Sequence, residues 1–293
     1  MYELIQVAEN SYYIQSPAKI GLIKLNEKEV CLIDTGNDKD AGKKVKKVLD
    51  TNGWQLKAIY NTHSNADHIG GNRYLQTQTG CKIYAPGIEC DFTNHPILEP
   101  SYLYGGYPCK DLRHKFLLAQ ESQAENLTQE VLPEGLEVIE LPGHFFDMVG
   151  FRNADDVVYL ADCLSSKETL DKYQIGVLYD VEAYLKTLDM VKNMKAKMFV
   201  PSHAAPTEDI SELAQYNIDK VLEIAEKIEG ICREPQWFEV ILQKLFMEYN
   251  LKMTFEQYVL IGSTVRSYLS WLKDTGRLDV IFENNLLLWV KKS

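Results

Sequence analysis

Little in this chain points to export, to a membrane or to a disulfide framework. Its 293 residues include six cysteines, at 31, 81, 90, 109, 163 and 232, and no two form a Cys-x-x-Cys pair. In a chain of this size such scattered cysteines read as reduced, mostly buried thiols. No apolar run approaches the roughly 18 residues that a membrane span needs. The opening Met1-Tyr2-Glu3-Leu4-Ile5 lacks a basic stretch followed by an apolar one, so no secretory signal is expected and the cytoplasm is the expected compartment. An excess of cations is missing too: 31 Lys and Arg face 42 Asp and Glu, a formal net charge of -11. That argues against broad attraction to nucleic acid or to anionic membrane. There is no low-complexity tract and no internal repeat with a period of roughly 20 to 50 residues.

What remains is an ordinary globular composition, 45% apolar and 25% charged, long enough to bury an ample core. Residues 2 to 34 read as successive short strands, rich in Ile, Val, Leu and Tyr and broken by Asn, Ser-Pro and Asn-Glu-Lys turns. The last strand ends in the polar turn Asp34-Thr35-Gly36. An amphipathic helix is expected over 38 to 52, closed by Asn52-Gly53, then a strand from Leu56 to Tyr60. Gly70-Gly71-Asn72 opens another helix, and Lys82 to Ala85 is a strand. Residues 87 to 125 show little periodicity; with Tyr102, Tyr104, Tyr107, Gly105-Gly106 and prolines 96, 100 and 108 they read as an insertion near a site mouth. Strands resume at Leu136–Leu141, Met148–Phe151, Val157–Ala161 and Met198–Val200. A helix lies between them at 181 to 195. Beyond 210 the chain is mostly helical, closing with a β-ribbon near 277 to 291.

Residues suited to metal ligation collect at the ends of these strands. After Tyr60 come Asn61-Thr62, then His63, Asn65, Asp67 and His68 within six positions, and then a Gly pair. Three further strands end at His144 (after Leu141-Pro142-Gly143), at Asp162 and at His203. Imidazole with carboxylate is the ligand set preferred by zinc and other divalent first-row metals. The carboxyl ends of strands are where α/β proteins gather their active sites.

The block from His63 to His68 resembles the His-x-His-x-Asp-His signature of the metallo-β-lactamase superfamily, with Asn65 in place of the second His. The resemblance extends in order through the Asp34 turn, Leu141-Pro142-Gly143-His144, Leu160-Ala161-Asp162 and Ser202-His203, about the first 210 residues. It implies an α/β (α+β) fold, an αββα sandwich of two mixed sheets with a metal centre at one edge. It further implies a catalytic domain over 1–210 and a separate module over 211–293. By the resemblance, His63, the position of Asn65 and His144 form one metal site; Asp67, His68 and His203 form the second; Asp162 bridges both. Asp34 is read either as supporting the ligands or as a structural residue of its turn. One or two divalent ions are expected, zinc first, with manganese or iron as alternatives. An amide oxygen is a poorer ligand than imidazole for a borderline-soft ion and suits harder metals better. The centre is therefore expected to be asymmetric, with a tight second site.

The function expected is hydrolysis of a small ester, thioester, lactone or amide by a metal-bound hydroxide, with Asp67 also available to accept a proton. His95 and His114 read as solvent or packing residues, and Cys163 as a buried small residue. Asp147 reads either as a partner of His144 or as a surface carboxylate. Ser165-Ser166-Lys167 could meet an anionic substrate. The helices near 236–249 and 254–272 with the ribbon after them resemble a winged helix, which would suit a nuclease or phosphodiesterase. Residues 254 to 293, however, hold five Lys or Arg against four Asp or Glu, without the cation cluster that phosphate binding needs. A lid or a homodimerisation element fits that segment better. A catalytically silent metal-binding protein and iron-dependent sulfur or oxygen chemistry are the remaining readings. Antibiotic hydrolysis is not expected in a chain without a signal.

Overall fold

The computed structural model describes residues 2–292. The N-terminal apolar runs pair in sequence order: β1 (Leu4–Gln6), β2 (Ser11–Ile14), β3 (Ile20–Lys24) and β4 (Glu29–Ile33) form an antiparallel meander. Helix α1 (Lys39–Thr51) crosses back, its first turn capped by Asp38, which accepts from the Ala41 N–H at 2.9 Å. Such a cap is worth about 1 kcal/mol. Next come β5 (Gln55–Tyr60), the single-turn α2 (Ala66–Ile69), α3 (Asn72–Thr79) and β6 (Lys82–Ala85). Strands β4, β5 and β6 run parallel.

The segment from 87 to 125 departs from expectation. It folds as two short helices, α4 (Gly87–Asn94) and α5 (Leu98–Tyr104), and ends in β7 (Ala124–Asn126), which adds in parallel to β6. Helices of eight and seven residues are too short to show a period. Their prolines also mislead: Pro86 stands just before α4, and Pro100 lies in the first turn of α5, where a missing N–H costs nothing. Gly105, at φ 78°, closes α5 in the left-handed conformation.

The second sheet contains β8 (Glu137–Glu140), β9 (Val149–Arg152), β10 (Val157–Ser165) and, after α6 (Lys167–Tyr173) and α7 (Val181–Asn193), β11 (Met198–His203). Its order is β11-β10-β9-β8, with β10 and β11 parallel and the other pairs antiparallel. Then follow α8 (Ser211–Ile231), α9 (Phe238–Glu248), α10 (Phe255–Asp274) and the hairpin of β12 (Leu278–Glu283) and β13 (Leu286–Lys291).

Strand periodicity explains the layering. Side chains alternate faces along β4, so Cys31 and Ile33 join Tyr60, Phe151, Tyr159 and Val200 between the two sheets. Val30 and Leu32 face the other way, onto Val45 and Leu49 of α1 and Leu75 of α3. The far face of the second sheet, with Val158 and Leu160, packs against Leu188 of α7, Ile224 of α8, Ile241 of α9 and Val265 of α10 in one cluster. The result is the expected αββα sandwich of two mixed sheets. The chain beyond residue 210 shares its core with the second sheet.

Candidate metal centre

The strand ends converge on one edge of the sandwich. The turn after β5 buries Asn61, Thr62 and His63 completely, and α2 then presents Asp67 and His68. Gly70 makes this possible, because a Cβ there would stand 2.2 Å from the Asn37 carbonyl carbon in the neighbouring Asp34 turn. Gly143, at φ +121°, lets the His144 loop press against the start of α7, where a Cβ would meet the Tyr184 nitrogen at 2.3 Å. Strand β10 does not stop at Asp162 as expected. It continues to Ser165 through a shift of register at Ala161, which takes a left-handed φ of 50°. That conformation is unusual for a residue with a Cβ. His203 is the last residue of β11.

All seven residues expected from the sequence meet here. Asp67, His68, Asp162 and His203 form one group and His63, His144 and Asp162 a second; within each group the ligand atoms lie within 4.8 Å of one another. Asp162 belongs to both. His68 Nε2 stands 3.1 Å from Asp162 Oδ1 and 3.8 Å from Asp67 Oδ2. His203 Nε2 stands 3.1 Å from Asp162 Oδ2 and 3.4 Å from Asp67 Oδ2. Bonds of about 2.0–2.2 Å to a tetrahedral ion place ligand atoms roughly 3.3–3.6 Å apart, and the observed spacings bracket that range. His144 Nε2 lies 3.8 Å from Asp162 Oδ2 and 3.1 Å from Asn65 Oδ1.

The hydrogen bonds around the cluster leave the inward-facing nitrogens free. His68 Nδ1 donates to Asp34 Oδ2 at 2.8 Å, and His144 Nδ1 donates to the Val177 carbonyl at 2.9 Å. His63 Nδ1 contacts Thr62 Oγ1 at 2.9 Å, and that hydroxyl is also 2.7 Å from Asp34 Oδ2. His63 Nε2, His68 Nε2 and Asp162 Oδ1 are buried and have no hydrogen-bond partner among the described residues. Buried polar atoms without partners are rare and costly. Here His68 Nε2 and Asp162 Oδ1 stand 3.1 Å apart in one ligand group and His63 Nε2 belongs to the other, the arrangement expected where cations complete the site. The donor set fits zinc or a similar divalent ion.

Charge supports the same fit. Burial opposes protonation of His68, but Asp162, Asp67 and Asp34 outweigh it and hold its pKa well above the ordinary imidazole value. His203 is likewise pushed up to about 10, burial being overcome by Asp162 and Asp67. Against burial, His68 and His203 hold Asp67 below the usual carboxylate range, and the same two imidazoles hold Asp162 well below it. The two carboxylates thus demand positive charge from the imidazoles beside them. Burial drives His63 well below the ordinary value, and it lowers His144 despite the charge of Asp162. The cluster pairs an electron-rich half with a neutral one.

Other residues singled out in the sequence lie elsewhere. Asp34 is the partner of His68 described above and also accepts from the Thr62 N–H at 2.9 Å. Asp147 is not a partner of His144; it accepts from the Ile88 N–H at 2.9 Å and so ties down the start of α4. Lys167 pairs with exposed Glu212, and Ser166 caps α6, so neither faces the centre. His114 pairs with Glu256 at 2.7 Å, His95 ends α4 and is exposed, and Cys163 is buried in the core behind the second sheet.

Two residues escape the sequence reading. Glu89 of α4 accepts from the Ser64 N–H at 3.0 Å and the Asp147 N–H at 2.9 Å, bridging the His63 and His144 loops. Glu99 of α5 accepts from Asn65 Nδ2 at 2.9 Å and the Ala66 N–H at 3.1 Å. Both are buried, and burial raises Glu89 to about 7 and Glu99 well above its usual value. No motif marks either one. Around the centre, Tyr102 packs edge-on to Phe145 and Phe146, and Tyr179 stacks on Phe146. A cavity of about 50 Å³ behind His144 and Asp162 is lined also by Tyr184, Lys220 and Tyr268. A larger groove of about 680 Å³ passes Tyr102, Tyr179, Arg266 and Trp271.

Known proteins are similar to this chain in part of its sequence or in its fold. The family model of the metallo-beta-lactamase superfamily matches residues 9–203. A hydroxyacylglutathione hydrolase from Methylococcus capsulatus is 46% identical over 53 residues, 15% of this chain and 21% of that protein. Another, from Rhodopseudomonas palustris, is 31% identical over 121 residues, 40% of this chain and 38% of that protein. The chain thus spans well under half the length of the curated relatives it matches. Among solved structures, a beta-lactamase domain protein from Burkholderia ambifaria superposes with a TM-score of 0.77 at 15% identity, covering 99% of this chain and 94% of that one. A metallo-beta-lactamase family protein from Thermus thermophilus gives 0.74 at 15% identity, covering 97% and 99%. At such identities the likeness is one of fold. With two thirds of its length matched by the family model, the chain belongs to the metallo-beta-lactamase superfamily.

Proposed function

We propose that this chain is a metal-dependent hydrolase of a small acyl ester, with thioesters the first class to test. The single observation that carries the reading is the pair of ligand groups sharing Asp162, with three buried inward-facing atoms left without partners. The name of the curated relatives, hydroxyacylglutathione hydrolase, directs the substrate class to acyl–sulfur esters. Bound divalent ions at such a centre lower the pKa of a coordinated water and polarise the carbonyl of an ester or thioester.

His68 and His203 with Asp67 and Asp162 would hold one ion, and His63 and His144 with Asp162 would hold a second. Asp34 orients His68 through Nδ1, leaving Nε2 free to ligate. Asp67 is the more accessible of the two carboxylates, with 38% of its side chain exposed against 12% for Asp162. It is therefore the group placed to take a proton from the nucleophile or pass one to the leaving group. The aromatic wall of Tyr102, Phe146 and Tyr179 gives an acyl chain apolar surface beside the centre. The closing hairpin exposes Phe282, Leu286 and Leu287 rather than clustered cations, which offers little to a phosphate backbone.

The test is turnover of the purified protein on a panel of an acylglutathione, a p-nitrophenyl ester, a lactone and a phosphodiester, before and after chelation. The expected result is acyl hydrolysis that chelator abolishes and zinc or manganese restores. Metal content without turnover, or cleavage of the phosphodiester alone, overturns the reading.

A further inference from the structure

With Glu99 ionised, as a cation beside Asn65 favours against the burial that raises its pKa, the amide at residue 65 is held by hydrogen bonds whose directions are fixed at both ends. The Val177 carbonyl can only accept, so His144 Nδ1 carries the hydrogen at 2.9 Å and Nε2 presents a lone pair. At the other end the Ala66 N–H can only donate, and it reaches Glu99 Oε2 at 3.1 Å. The remaining carboxylate oxygen, Oε1, receives Asn65 Nδ2 at 2.9 Å. Asn65 is thereby turned with Oδ1 towards His144 Nε2, 3.1 Å away. Two electron-pair donors face each other with no hydrogen between them. His63 Nε2 is likewise buried without a hydrogen-bond partner among the described residues. A metal ion satisfies all three.

We infer that Glu99 is a positioning residue, whose buried carboxylate turns the Asn65 amide so that oxygen rather than nitrogen faces His144. The insertion helix α5 thus supplies what the altered signature residue needs in order to serve as a ligand. An oxygen in that position tunes this half of the centre towards a harder divalent cation such as manganese or iron(II). The inference rests on the metal-centre reading above, but on no substrate.

Glu99→Gln tests it with almost no change in shape. The Ala66 N–H still demands an acceptor, so the glutamine oxygen stays beside Ala66 and its NH₂ group meets that of Asn65. Two donors cannot pair, and Asn65 must reverse, presenting nitrogen to the metal position. Equilibrium dialysis against manganese is expected to show the weaker of two sites reduced roughly tenfold or more, with the tighter site unchanged. Adding Asn65→Asp to Glu99→Gln restores the pattern: the glutamine NH₂ donates to one aspartate oxygen and the other faces the metal. A merely structural Glu99 would weaken both sites together in Glu99→Gln rather than the weaker one alone. Unchanged manganese binding in Glu99→Gln overturns the inference, as does a double variant no better than the single. If Glu99→Gln does not fold, a crystal structure of the wild-type protein soaked in manganese decides. An amide oxygen at residue 65 in contact with the ion supports the inference, and an amide turned away overturns it. Because metal binding is the readout, a protein that hydrolyses nothing but shows the swap would sink the functional reading alone.

Discussion

The two halves of the centre are built on different chemistry. Around His68 and His203 stand two carboxylates within 3.1 to 3.8 Å, and the imidazoles there are pushed towards the charged form. Around His63 and His144 the carboxylate in the ligand group is Asp162, with Asp67 a weaker influence; Asn65 beside His144 is an amide, and burial pushes both imidazoles towards the neutral form. The supports differ in the same way. His68 is oriented directly by the carboxylate of Asp34, whereas the loops carrying His63, Asn65 and His144 are braced by Glu89 and Glu99 from the insertion helices. The contrast is one of charge: the half around His68 and His203 concentrates it, and the half that holds Asn65 does not.

The largest expected effect comes from separating the halves. His203→Ala is expected to lower the affinity of the tighter metal by roughly 100-fold or more, since it removes a ligand outright. Asn65→Ala is expected to weaken only the looser metal. Metal analysis after gel filtration distinguishes them, and equal losses from both variants would break the distinction.

A smaller effect is expected from the support of the charged half. Asp34→Asn keeps the shape but removes the carboxylate that fixes His68 with its hydrogen on Nδ1. Loss of such a partner typically costs about 10- to 100-fold in metal affinity. Isothermal titration with zinc checks this, and an unchanged curve would show that Thr62 and backbone packing suffice.

The smallest effect is a pH dependence in the neutral half. Burial raises Glu89 to about 7, against the pull of Ser64 and the Asp147 N–H. A carboxyl whose pKa is higher folded than unfolded contributes stability that is complete below its unfolded value and is lost as pH rises through the folded one. The metal-free protein is therefore expected to lose stability from Glu89 between about pH 4.5 and 7. Glu89→Gln should flatten that part of the profile, as followed by thermal unfolding. A profile unchanged by the substitution would show that Glu89 is ionised throughout.

How much of this is legible in the sequence follows from how local each signal is. The strands of the sandwich announce themselves through runs of Ile, Val and Leu, and the ligand-type residues through their place at strand ends. Asp34 is legible because its Asp-Thr-Gly turn closes a buried strand. The insertion is not, because helices of seven and eight residues with prolines at their starts carry no period. Glu89 and Glu99 are hidden for a further reason. A glutamate in a polar-looking segment is ordinarily solvated, and only the packing of α4 and α5 under the metal loop reveals that these two are buried. Asp147 misleads in the opposite sense, since its closeness to His144 in sequence places it beside α4 rather than in the centre.

The central claim is that the centre is asymmetric, and titration of the metal-free protein with zinc and then with manganese tests it most directly. The account predicts two unequal sites, with zinc filling one tightly and the other weakly, and with the gap between the two narrower for manganese. Two equally tight zinc sites, or a single event with no second site for either metal, would contradict it.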